Sequence, residues 1–166
     1  MVGGRKRYAN EDIIPAPDVS LPMFTMGQTA RILNAPIWRV QKLLESPTFQ
    51  ISPSGQTGKG KGSRRLFSTG DIYRVGLALY LLLDGFTFKL VAEVLQGIED
   101  EELFEPHNRF GILMRRDKTK RTIGFFPSGK AEAVRKDSDV YYTLDCGEVI
   151  EGIDRAIRAE VSSLYR

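Results

Sequence analysis

The stretch from Ser68 to Gly85, STGDIYRVGLALYLLLDG, constrains the fold more than any other part of the chain. Ser68 and Asp71 stand three residues apart just ahead of an apolar run, the pattern of a capping box. Ile72, Val75, Leu79 and Leu82 recur at helical spacing, and Leu77, Ala78, Leu81 and Leu83 fill the other side. Asp84-Gly85 ends the segment, with Gly85 suited to the left-handed position after a helix. A helix that is apolar on most sides belongs in the middle of a fold, so the other elements have to be arranged around it. Its apolar run, Val75–Leu83, is too short to cross a bilayer, and no membrane partner is expected.

Neighbouring segments supply candidates to surround this helix. Thr25 and Gln28 form an earlier capping box, followed by Met26, Thr29, Ala30, Ile32 and Leu33. Asn34-Ala35 reads as a tight turn. Pro36 suits the first position of a second helix, where a missing N–H is harmless. Ile37, Val40 and Leu44 mark that helix's expected buried face, and Pro47 its end. Two short helices joined by a tight turn form a helix-turn-helix candidate. Phe49–Ser52 and Arg64–Phe67 read as strands of a β-hairpin with a long glycine-rich tip. After the central helix, Thr87 caps a further helix with Leu90, Val91, Val94 and Leu95 as its stripe, and Gly97 stops it.

Beyond Gly97 the pattern changes. Residues 99–108 are an acidic linker, EDEELFEPHN. Phe110–Phe126 reads as a hairpin turning at Asp117–Lys120, Pro127–Gly129 as a turn and Asp139–Leu144 as a strand. Asp145 with Glu148 gives a third cap, and Ile150, Ile153, Ile157, Val161 and Leu164 define a last helix. The expected class is α+β. The domains are a flexible tail over 1–20, a helix-turn-helix domain with its hairpin over 21–98, the linker, and a small α+β region over 109–166. A piece of about 60 residues is marginal as an independent fold, so the last region should pack on the first or on a second copy.

Charge separates these segments. Residues 21–98 hold nine basic and four acidic side chains, whereas residues 99–166 hold twelve basic and fourteen acidic. From Ser46 to Gly70 there is no acidic residue, and Lys59, Lys61, Arg64 and Arg65 fall inside that window. Such a segment calls for an anionic partner, most simply nucleic acid. Gly55 to Gly62 nearly spells a phosphate-binding loop, but Lys61 is followed by Gly62 instead of the hydroxyl that holds magnesium. The strand-like RRLF also stands where a helix should leave the loop. Duplex phosphates fit the glycine-lysine pattern better than a nucleotide does.

Three motifs in order resemble the DNA-binding domain of the mercury-resistance-regulator (MerR) family. FTMGQTARILNAPIWRVQKLLE is similar to its helix-turn-helix, SRRLFSTGDI to its Gly-Tyr-Arg-x-Tyr-Ser-x-x-Asp signature, and LLLDGFTFKLVAEVL to its Leu-Gly-Phe-Ser-Leu-x-Glu-Ile motif. The resemblance covers residues 23–98 and implies a winged helix-turn-helix on double-stranded DNA. Arg65 matches the wing arginine that meets the DNA backbone, while Phe67 stands at a tyrosine position and lacks the hydroxyl. Gln41, Lys42 and Leu43 stand where the family often has Arg-Tyr-Tyr. Trp38, Gln41, Lys42 and Glu45 share one helical face with Arg39 beside it, the face left to enter a major groove. For Trp38, packing and base contact both stand open. The candidate DNA-binding set is Trp38, Arg39, Gln41, Lys42, Lys59, Lys61, Arg64 and Arg65.

The expected function is a sequence-specific transcriptional regulator of the bacterial cytoplasm or nucleoid, bacterial or phage-borne. An architectural factor in recombination or packaging, and a protein–protein adaptor using the winged helix, remain as alternatives. Residues 109–166 would form a homodimer contact, an effector site or a partner surface. The start MVGGRKRYANEDIIP has no apolar core, so no secretory signal is expected. No enzyme activity, cofactor or metal is expected. His107 stands alone, and Cys146 is the one cysteine, at a helix start where a thiolate would be favoured.

Overall fold

The computed structural model describes residues 23–49, 55–56, 64–99, 102–103, 105 and 109–164. The tail over 1–20, Lys59, Lys61 and His107 lie outside the described residues. The chain is α+β, with helices around two small antiparallel sheets. Strand β1 (Phe24–Thr25) leads into helix α1 (Met26–Ile32), and α2 (Ile37–Glu45) follows a tight turn at Asn34, whose φ is 48°. β2 (Gly55–Gln56) and β3 (Arg65–Phe67) complete a sheet in the order β1-β3-β2. The central helix α3 (Thr69–Leu83) is followed by α4 (Phe88–Gln96).

The caps explain these boundaries. Thr25 Oγ1 accepts from the Gln28 N–H while the Gln28 side chain accepts from the Thr25 N–H. Ser68 and Asp71 repeat this reciprocal pair at α3, and Thr87 accepts from the Leu90 N–H at α4. Each closes backbone donors that a helix start leaves without partners. Gly85 ends α3 with φ 92°, a conformation in which a side chain would be strained.

The first hairpin's outgoing strand is described only at β2, and the expected Phe49–Ser52 strand falls mostly outside the described residues. Residues 50–52 of the expected Phe49–Ser52 strand are outside the described residues, but Phe49 itself follows the turn at Pro47-Thr48 and pairs with no strand. Its ring is buried, edge-on to Phe88 at 5.6 Å between centroids. Burial against α4 competes with pairing, and it is Gly55 and Gln56 that face Leu66 and Arg65.

The C-terminal half forms a second sheet in the order β5-β4-β6, from β4 (Phe110–Asp117), β5 (Lys120–Pro127) and β6 (Val140–Asp145). A short helix, α5 (Ala131–Arg135), precedes β6, and the 19-residue α6 (Cys146–Leu164) follows it. Buried side chains from Phe24 to Ile157 belong to one continuous core. α6 packs against both α1 and α3. Tyr73 of α3 donates its hydroxyl proton to Asp154 of α6, and Arg109, just before β4, donates to Asp154 and Glu151 at 3.1 Å each. Arg31 of α1 donates to Glu160 from Nε and Nη2, the Nε–Oε2 distance being 3.3 Å.

Asp145 joins the β5–α5 turn to the start of α6. Its carboxylate accepts from the hydroxyl of Ser128 and from the N–H groups of Gly129 (2.7 Å), Gly147 (3.0 Å) and Glu148 (3.4 Å). Partial burial would raise its pKa, but these bonds favour the charged form and together hold it below the usual aspartate value. A depressed carboxyl contributes stability above its unfolded value of about 3.9, and that stability is lost as pH falls through the lower folded value. Asp145→Asn should therefore flatten the acid limb of the stability profile, read as the urea midpoint from pH 6 downward. An acid limb as steep as wild type would refute the assignment.

Candidate nucleic-acid interface

Helix α2 is anchored by Val40 and Leu43, at 0% and 1% exposure, with Leu44 half-buried. The expected buried set of Ile37, Val40 and Leu44 needs correction, because Ile37 is 47% exposed. Val40 and Leu43 turn the helix so that Ile37, in its first turn, falls on the flank next to the outward face. That face carries Trp38, Gln41, Lys42 and Glu45, all exposed. Trp38 is 58% exposed, which removes the packed alternative. The guanidinium of half-buried Arg39 lies 5.3 Å from the centre of its ring, a cation–π contact that orients the indole outward.

Beside α2 lies β3. Phe67 is fully buried, Leu66 half-buried, and Arg64 and Arg65 are exposed. The tyrosine position of the resembled motif is thus filled by a core side chain with no route to a ligand. Leu66 pairs with Thr25 on one side and Gly55 on the other, fixing β3 between β1 and β2.

The two elements enclose an open cleft of about 500 Å³ lined by Thr25, Met26, Gly27, Gln41, Glu45, Arg64 and Arg65. Of the sequence-derived residues, Gln41, Arg64 and Arg65 meet in this cleft, and Lys42 follows on the exposed face of α2. Trp38 and Arg39 sit at the helix's first turns. Thr25 to Gly27 at the start of α1 were missed as lining residues. Their capping box locates a helix start, but nothing local in the sequence places that start opposite α2. The cleft is amphoteric: Glu45 faces the same space as two arginines, so an anion entering it meets guanidinium groups at the β3 wall and a carboxylate at the α2 wall.

The remaining chemistry-bearing residues behave as structure. Cys146 has no exposed surface, and burial, reinforced by the charge of Asp145, pushes its thiol pKa up. The expectation of a favoured thiolate at this helix start is overturned, because desolvation outweighs the helix terminus. The hydroxyls of Tyr73 and Tyr142 are likewise pushed up, by burial and then by the carboxylates of Asp154 and Asp84 that accept their protons. No group of three or more His, Cys, Asp or Glu side chains among the described residues is placed to hold a metal ion. No helix among them is long and apolar enough to cross a membrane.

No known family's sequence profile matches this chain, and no curated protein matches it significantly.

Proposed function

We propose that the chain is a sequence-specific DNA-binding regulator built on a MerR-like winged helix-turn-helix, with α2 as recognition helix and the β2–β3 hairpin as wing. The observation that carries this reading is the shared cleft, lined by Gln41 and Glu45 of α2 on one side and by Arg64 and Arg65, at the start of β3, on the other. A helix lying in a major groove needs one polar face free and cations flanking it to meet the phosphates. Gln41 has the donor and acceptor geometry to read an adenine edge, and exposed Ile37 and Trp38 can meet a thymine methyl. Lys42 and Arg65 would neutralise phosphates on either side. Glu45 would repel a phosphate placed directly over it, which favours registers in which a cytosine amino group, a donor, comes opposite it.

Lys42→Ala and Arg65→Ala are each expected to weaken binding uniformly across duplex sequences. Each should also lower the slope of log affinity against log salt by about 0.9, the contribution of one phosphate contact. Gln41→Ala should cost about 1–3 kcal/mol at the preferred site and relax the preference at one base pair. Salt-titrated binding to a site selected from random duplexes measures both. Wild-type affinity and slope in Lys42→Ala and Arg65→Ala would remove the reading, and no duplex binding at moderate salt would favour an adaptor role.

A further inference from the structure

A second strongly cationic segment lies in the C-terminal half. Arg115 to Arg121, RRDKTKR, holds five cations and one carboxylate, and all seven residues are exposed. Arg115 is paired with Asp137 at 2.7 Å. Among the described residues, no carboxylate is within ion-pair distance of Arg116, Lys118, Lys120 or Arg121.

The backbone makes this concentration more pointed. Arg116 and Arg121 are direct cross-strand partners, and like charges in that position destabilise a hairpin. The last Cα pair between β4 and β6 is Arg115 with Val140, and the Arg116 N–H still donates to the Asp139 carbonyl at 2.9 Å, so beyond Arg116 the hairpin is a two-stranded ribbon that extends past the third strand. Tyr141 is 48% exposed there, with the Arg116 guanidinium 5.5 Å from its ring centre. A hairpin that keeps mutually repelling, unpaired cations at a projecting tip gains stability when an anion of matching charge density neutralises them.

The fold also fixes where the tip lies. Arg109, at the start of β4, shares Asp154 with Tyr73 in the first half of α3. Further along β4, Met114 pairs with Tyr142, whose hydroxyl donates to Asp84 at the end of α3, at 2.6 Å. β4 therefore runs in the direction of α3's C-terminal end, and its tip lies towards that end. β3, with Arg65, enters α3 at the opposite end. The 15 residues of α3 set the two surfaces apart by about 22 Å, at a rise of 1.5 Å per residue.

We propose that the β4–β5 tip is a second duplex-DNA contact, in which Arg116, Lys118, Lys120 and Arg121 bind backbone phosphates. A two-stranded ribbon fits a major groove about 12 Å wide, and duplex DNA offers about one charge per 1.7 Å of axis to balance the cations. The inference goes beyond the cleft-based reading and does not depend on α2 being a recognition helix.

The test is a protein carrying R116Q, K118Q, K120Q and R121Q together, with the urea midpoint as the folding control. That midpoint should stay level or rise, since a repulsion is removed. The slope of log duplex affinity against log salt should fall by about two to four, with affinity at low salt reduced at least tenfold. The same slope measured for K42A/R65A keeps the two surfaces distinguishable. If only K42A/R65A loses slope, the tip proposal is overturned and the cleft reading stands. If only the tip variant loses slope, the tip stands and the cleft reading falls. A tip variant that retains the wild-type duplex slope overturns the proposal, even if it loses binding to phosphatidylglycerol vesicles or to an acidic polypeptide.

Discussion

Phe67→Ala should lower the unfolding free energy by about 3–5 kcal/mol, the range for deleting a fully buried aromatic side chain. Phe67 has no exposed surface, and it ends β3 one residue before the cap of α3. Its carbonyl accepts from the Met23 N–H at 3.1 Å, and its Cα pairs with Phe24, another fully buried ring. Removing the ring opens a cavity where β1, β3 and α3 meet, and β3 loses the anchor that holds Arg65 two residues upstream. The loss would appear as a lower urea midpoint with an unchanged denaturant slope, the sign of lost stability without a changed unfolded state. Below the transition, where the variant is still folded, the proposed duplex affinity should fall further than in Arg65→Ala alone, because β3, which carries Arg65 and follows directly on Arg64, is loosened. An unfolding free energy within about 1 kcal/mol of wild type would mean that the site collapses onto the lost ring, and that Phe67 is not what positions β3.

Phe67 also shows how legible the chain is. Its place at the end of a short strand before a capped helix can be read directly, because caps are local: Thr25, Ser68 and Thr87 each declare a helix start within four residues. The all-round apolar helix declares itself too, since ten of its residues are buried. Two-residue strands such as β1 and β2 are below the length at which alternation has meaning, so they emerge only from pairing with β3. The flank on which Ile37 falls depends on whether Leu43 or Leu44 faces the core more squarely, a choice made by α1 and not by the periodicity of α2. Likewise α6 is readable as amphipathic from Ile150, Ile153 and Ile157, but nothing local says that its stripe lies on α1 and α3. One sequence signal does point there. Gly76 interrupts an otherwise apolar helix, and a glycine in a helix interior costs stability unless something approaches closely.

That approach is testable by a double-mutant cycle. A Cβ at position 76 would stand 2.5 Å from Ile153 Cδ1 and 3.0 Å from Leu33 Cδ2, so α1, α3 and α6 meet at this one point. Ile153→Ala should cost about 2–5 kcal/mol, as for other buried isoleucines cut back to alanine. Gly76→Ala introduces two opposed effects. Alanine is favoured over glycine in a helix interior by about 1 kcal/mol, while overpacking costs typically about 1–3 kcal/mol. Ile153 is 6% exposed and sits in the shared core, so its methyl cannot simply swing into solvent; overpacking wins, and the single variant is destabilised. In the Ile153→Ala background the obstructing methyl is gone, and the same Gly76→Ala change should become stabilising. The sign reversal gives an interaction energy of about 1–3 kcal/mol, the scale seen for residues in direct contact. If Gly76→Ala has the same effect in both backgrounds, α6 does not press on α3 there. If the reversal is found, changes in the C-terminal helix reach the α1–α2 pair through direct packing, and Ile153→Ala should weaken the proposed duplex binding without altering any side chain of the proposed DNA-binding face.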